Sequence, residues 1–305
     1  MRKKIIGIFL VMLLISSTTT LALTPIRRNE QQTKKQLIDI TSVPVPSIKT
    51  NEVSSRQTFT HTIFCELQAA TRCPSCPTAV EALRNLYKSH DYQFYYVSLV
   101  TDMNSIAKER ARDYIINLKP TYMALPTVYF DGGDKNMPGR LSSVNATAAA
   151  YRDILEDVGN RSVTVPIELS SDIVWLGDGK ITVTVTITNN GDKPYLGIVR
   201  SYVTEIVSRW KDSKGYFFDF GFLDFAINTF IFISAGGTKN ISEQWDATQA
   251  HGQNFGEISK ANIMVISTIS HWVPHYRTAY ESELGIQKYF AHYVDQTTAA
   301  TPGSS

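Results

Sequence analysis

The stretch Thr71-Arg72-Cys73-Pro74-Ser75-Cys76-Pro77 restricts this chain more than any other, because of what stands on either side of it. Before it runs Thr62-Ile63-Phe64-Cys65, an apolar segment suited to a strand. After it Val80, Leu83, Leu86 and Tyr87 recur at helical spacing. Strand, short connection and a Cys-x-x-Cys opening an amphipathic helix put Cys73 at a helix N-cap. Free backbone N–H groups and the positive end of the helix dipole favour a thiolate there, and the thiolate is the nucleophile of disulfide exchange. Cys76, one turn on, lies on the same side and can close on Cys73. A static disulfide is the other reading the pair leaves open. A zinc site would need two more Cys or His ligands, and Cys65 is the one other cysteine of the three in the 305 residues. No metal and no cofactor are expected.

Far along the chain, Ala124-Leu125-Pro126-Thr127-Val128-Tyr129-Phe130-Asp131-Gly132-Gly133 joins an apolar residue and a proline to a β-rich run and a turn. Together the two stretches resemble the thioredoxin-like family, over roughly Phe59 to Val158, about a hundred residues. The resemblance implies an α/β thioredoxin-like domain, a mixed sheet with helices on both faces. It makes Cys73 the attacking cysteine, Cys76 the resolving one and Pro126 a cis-proline beside them. Arg72, Pro74, Ser75, Leu125 and Pro126 would then line the substrate groove, the backbone at Leu125-Pro126 pairing with an extended substrate. Thioredoxins commonly carry tryptophan before the first cysteine. Arg72 stands there instead, losing an apolar platform and adding a charge that favours thiolate. Glu66 matches a buried acid that in some relatives exchanges a proton with the resolving cysteine; strand alternation lets it face solvent, which is the plainer reading. Cys65, on one strand face with Ile63 and Leu67, reads as an inert core thiol.

Met1-Arg2-Lys3-Lys4 followed by the apolar Ile5 to Ile15 has the pattern of a signal peptide or N-terminal membrane anchor over residues 1–23. It implies an extracytoplasmic protein, secreted or anchored by its N-terminus, touching membrane only through that segment if it is uncleaved. Residues 24–56, rich in Gln, Thr, Lys and Ser around Val43-Pro44-Val45-Pro46, read as a flexible linker. The thioredoxin-like domain is expected over 57–159. It includes a helix from Asp102 to Leu118, capped by Asp102 or Ser105, and a last helix opened by Ser142 or Ser143.

Past Gly159 the pattern changes from period 3.6 to period 2, as in Ile181-Thr182-Val183-Thr184-Val185-Thr186-Ile187-Thr188. About seven strands without a cysteine suggest an all-β immunoglobulin-like sandwich over 160–296, then a disordered tail over 297–305. That order of elements resembles exported thioredoxin-domain proteins of archaea and some bacteria. His271-Trp272-Val273-Pro274-His275 and the later His292 read as loop residues rather than ligands. Asn145, Asn160 and Asn240 begin glycosylation sequons.

A net charge of +2 with no basic cluster argues against nucleic acid. The function expected is an extracytoplasmic thiol–disulfide oxidoreductase acting on protein thiols or disulfides, with a membrane-linked electron donor or acceptor as a further partner. The rival is a cell-surface binding or adhesion protein with a redox-inactive thioredoxin-like scaffold and a static Cys73–Cys76 bridge.

Overall fold

Strand β1 (Ile63–Ala69) is buried at every position, as its near-continuous apolar run requires of a strand covered on both faces. It pairs in parallel with β2 (Phe94–Val100) and antiparallel with β3 (Thr127–Phe130), which pairs in turn with β4 (Lys135–Pro138). The structure, a computed structural model, describes residues 59–114, 124–163, 165–282 and 285–303. Among these residues three α-helices accompany the strands: α1 (Cys76–Ser89), α2 (Ser105–Arg112) and α3 (Val144–Gly159). Helices α1 and α3 pack on each other. Val80 and Leu83 of α1 and Tyr151, Leu155 and Val158 of α3 join the core around β1. Ser143 caps α3 as expected. The cap of α2 is Asn104, whose side chain accepts from the N–H groups of Ile106 and Ala107. Asp102, one of the expected caps, is bonded to Thr71 instead.

Two strands of 17 residues, β7 (Tyr195–Lys211) and β8 (Phe217–Ile233), form a long hairpin. It is extended by β10 (Ile263–His271) on β7 and by β13 (Val294–Ala300) on β10. Strands β2 and β8 then meet in parallel at Ser98 and Gly221. The result is one eight-stranded mixed sheet in the order β13-β10-β7-β8-β2-β1-β3-β4. Side chains seal the joint. Ser98 Oγ donates to the Asp219 carbonyl at 2.7 Å, and Asn104 Nδ2 donates to the carbonyls of Phe222 and Leu223, each at 2.8 Å. Strands β5 (Ile167–Gly177), β6 (Lys180–Asn189) and β9 (Thr238–Asp246) make a three-stranded sheet, and β11 (His275–Ser282) with β12 (Gly285–Ala291) a hairpin. Ile181, Val183 and Val185 of β6 share a second core with Val199, Val203 and Leu223.

This architecture corrects the expected one. In place of an α/β thioredoxin-like domain with helices on both faces and a separate all-β immunoglobulin-like sandwich, the chain is mostly β. Its few helices attach to a large mixed sheet that runs through both halves. Tyr202, Phe220, Phe222, Met264, Ile266 and Val294 bury in the same core as β1 and β2, so strands from the second half cover ground assigned to helices. The reason is physical. A period of 2 marks a strand and its buried face but not its partner, so nothing in 195–233 announces the pairing with β2.

Smaller differences follow the same logic. The helix expected over Asp102–Leu118 ends at Arg112; residues 115–118 lie outside the described residues. Thr297 to Ala300, expected in a disordered tail, belong to β13 and pair with Val265 to Thr268; β-branched threonines suit a pleated surface. The leader over 1–23 and the linker over 24–56 also lie outside the described residues. Among the described residues no helix is long and apolar enough to cross a membrane.

Gly221 lets β8 pass close to β7 at the joint. A Cβ there would stand 2.3 Å from Ser208 Oγ and 2.6 Å from Ser208 Cβ, and Ser208 is buried. Gly221→Ala should lower stability by about 1–3 kcal/mol, read as a lower urea midpoint with an unchanged slope. An unchanged midpoint would mean that the joint yields without cost.

Candidate functional site

Cys73 and Cys76 are joined by a disulfide, their Cα atoms 5.4 Å apart, where β1 hands the chain to α1. The connection is tied down ahead of them. Thr71 N–H donates to both Asp102 carboxylate oxygens at 3.0 Å and its hydroxyl to Asp102 Oδ2 at 2.5 Å. Helix α1 begins at Cys76 with Ser75 as N-cap, so Cys73 precedes the cap rather than forming it as expected. The Ser75 hydroxyl makes no capping bond, and Pro77 in the first turn carries no N–H. One expected donor survives: the Cys76 N–H reaches Cys73 Sγ at 3.1 Å. Contacts of this kind favour the thiolate once the bridge opens.

The two sulfurs differ in access. Both are buried, Cys73 at 8% exposure and Cys76 at 0%, so what access from outside there is lies at Cys73. Arg72 and Pro74 beside Cys73 are exposed, and Ser75 is half-buried. The Leu125–Pro126 peptide is cis. Leu125 packs against the apolar cluster to which both cysteines belong. Pro126 is buried, its carbonyl accepting from the Gly139 N–H at 2.6 Å.

Glu66 neither faces solvent nor bonds to a cysteine. It is 1% exposed and accepts two parallel bonds from Arg110, Nε to Oε1 and Nη2 to Oε2, each 2.7 Å. The Tyr202 hydroxyl donates to Oε1 at 3.0 Å, and the Tyr114 hydroxyl donates to Oε2. Desolvation alone would push its pKa up, but the Arg110 guanidinium, helped by the Tyr114 bond, holds it below the ordinary carboxylate value. A carboxylate kept ionised in this way is poorly suited to accept a proton from Cys76. Cys65 is fully buried. Burial pushes its thiol well above the usual range, and the carboxylates of Asp131 and Glu66 push the same way, which fits the inert thiol read from the sequence.

No protein-family model matches the chain, and no curated protein matches it. Solved structures do. It is similar to HBP35 of Porphyromonas gingivalis, at 15% identity and a TM-score of 0.53, over 82% of this chain and 79% of that one. It is also matched to Protein AGR_C_4864 from Agrobacterium tumefaciens, at 15% identity and a TM-score of 0.45, over 80% of this chain and 96% of that one. The likeness to HBP35 is one of fold, and it runs through both the cysteine-bearing half and the β-rich half of this chain.

Sequence reasoning missed what the cysteine segment is bonded to in the second half of the chain. Ser213, in the turn between β7 and β8, donates its hydroxyl to the Cys73 carbonyl at 2.9 Å. The turn is built rigidly: Asp212 Oδ1 accepts from the N–H groups of Lys214 at 2.8 Å and Tyr216 at 3.0 Å. Arg84 of α1 fastens the adjoining strand, donating to Asp219 Oδ2 at 2.5 Å and to the Phe217 carbonyl at 2.8 Å. Tyr216 and Phe217 are largely exposed. An aromatic-bearing turn thus adjoins the cysteine segment, where Arg72 offers no apolar surface. Asp212-Ser213-Lys214-Gly215 is legible as a turn, but its neighbour is set by the β2–β8 joint, which has no sequence signal.

Proposed function

We propose that this protein is an extracytoplasmic thiol–disulfide oxidoreductase that exchanges disulfides with protein substrates through Cys73 and Cys76. The observation that carries the reading is the asymmetry of the pair: both cysteines are buried, Cys73 alone of the two keeps some exposure, and the Cys76 N–H lies on the Cys73 sulfur. Support also comes from the resemblance of the Cys-x-x-Cys and Leu125-Pro126-Thr127 segments to the thioredoxin-like family. The leader pattern supports a place outside the cytoplasm, where disulfides persist.

In the oxidised form a substrate thiolate attacks Cys73 Sγ. The Cys73–Cys76 bond breaks, its electron pair leaves on Cys76 Sγ, and a mixed disulfide joins Cys73 to the substrate. A second substrate thiolate attacks the substrate sulfur of that bond and releases Cys73 as thiolate. The substrate dithiol has lost two electrons, which the cysteine pair has gained, and two protons restore its thiols. Run backwards, Cys73 thiolate attacks a substrate disulfide and Cys76 resolves the intermediate.

Two measurements test this. With dithiothreitol as donor the protein should accelerate insulin reduction. In the reduced protein, alkylation at neutral pH should label Cys73 well before Cys76 or Cys65. No turnover with any thiol donor and equal labelling of all three would leave the rival, a surface-binding protein with a static bridge.

A further inference from the structure

Two of the three histidines read from the sequence as loop residues, His271 and His275, close into a defined arrangement. Strand β10 ends at His271 and β11 begins at His275, and the two Nε2 atoms face each other at 2.9 Å. Each ring is fixed from behind. His271 Nδ1 lies 3.0 Å from Asp295 Oδ2 and 3.2 Å from Oδ1. A carboxylate only accepts, so Nδ1 carries the hydrogen and Nε2 keeps its lone pair in the neutral ring. Asp295 is 4% exposed and is held in turn by the Tyr195 hydroxyl at 2.7 Å and by Arg161 at 3.4 Å. The His275 ring stacks on Tyr293, centroids 3.9 Å apart and planes within 5°. The pair stands in the wall of a cavity of about 580 Å³, which Trp272 and Leu196 also line.

We infer that His271 and His275 bind a divalent transition-metal ion through their Nε2 atoms, with Cu²⁺ or Ni²⁺ the best fit. Metal–imidazole distances of about 2.0–2.1 Å across this separation give a nitrogen–metal–nitrogen angle of about 90°. That is the cis angle of a tetragonal site; a tetrahedral zinc ion would need the nitrogens about 0.4 Å further apart. A carboxylate behind a ligating imidazole is the arrangement that fixes tautomer and ring orientation at metal sites. Two cations flank the Tyr293 ring beneath the pair, and both are offset: Arg161 by Asp131 at 2.7 Å and Asp295 at 3.4 Å, Arg277 by Asp134 at 3.1 Å. Among the described residues no three His, Cys, Asp or Glu side chains converge. The described residues supply two ligands here, and the cavity has room at the other positions for water or a small incoming ligand. The competing account is a plain hydrogen bond between the rings, which gives no metal affinity.

The test uses the untagged full chain with its disulfide intact, stripped with a chelator and titrated at neutral pH with Ni²⁺ and with Cu²⁺. One ion should bind per chain, and the Cu²⁺ spin-resonance spectrum should carry splitting from two imidazole nitrogens. His275→Ala should lose that splitting and bind at least about tenfold more weakly, and Asp295→Asn should weaken binding by about tenfold. His275→Gln, compared by circular dichroism, guards against a folding defect in the alanine variant. Absence of stoichiometric binding, or unchanged affinity and spectrum in both His275 variants, would overturn the assignment.

Discussion

Replacing Cys73 by serine should lower the rate of disulfide exchange by at least about a thousandfold, down to that of the thiol donor alone. Cys73 keeps 8% exposure while Cys76 is fully enclosed, so no second nucleophile is placed to take over. The fold should survive. The bridge joins residues only three apart, and a ring this short removes little freedom from the unfolded chain. Cys76→Ser should behave differently: the first attack proceeds and the reaction stops there, leaving substrate covalently bound to Cys73. Insulin turnover reads the first effect, and non-reducing electrophoresis of the trapped adduct reads the second. Exchange that persists in Cys73→Ser would show that access does not decide which sulfur reacts.

The largest effect on stability is expected at Arg110. Replacing it by methionine keeps most of the side-chain volume but strands Glu66 as a buried charge. Breaking a buried ion pair from one side costs about 3–5 kcal/mol. Glu66→Gln in the same chain should recover part of that loss, and chemical denaturation of the single and double variants measures both. The pair also fixes a pH dependence. The pKa of Glu66 is lowered in the folded state from its ordinary 4.5, so its contribution is present in full above that value. It is lost as pH falls from there through the folded-state pKa. Acid should therefore destabilise the parent chain more steeply than the double variant. Parallel pH profiles would show that Glu66 is not held ionised by Arg110.

What was legible in the sequence was local. The spacing of Val80, Leu83 and Leu86 marks α1, the apolar run Ile63–Cys65 marks β1, and Ser143 marks the start of α3, because each depends on neighbours a few residues away. The Cys73–Cys76 bridge was among the readings for the same reason. What failed was anything set by distant partners. The alternation around Glu66 shows that it shares a face with Phe64 and Gln68, but not that Arg110, Tyr114 and Tyr202 meet over that face. Those three come from α2, the turn after it and β7. The histidine pair was missed similarly: its order depends on Asp295 and Tyr293, and a five-residue window around Pro274 contains neither.

The joint between β2 and β8 has a consequence for how the molecule is made. Strand β2 is aromatic and β-branched along Phe94–Val100, the composition that pairs with any free edge it meets. During synthesis that edge is exposed as soon as the first half leaves the ribosome, and its cover arrives only when Gly221 follows, more than a hundred positions later. Ser213, which bonds to Cys73, comes equally late. The cysteine segment is therefore not a module that finishes early and waits. It acquires its last hydrogen bond and its protected edge together, from chain that emerges afterwards. A fragment ending near Gly159 would present the bare edge permanently, and self-association is its expected fate.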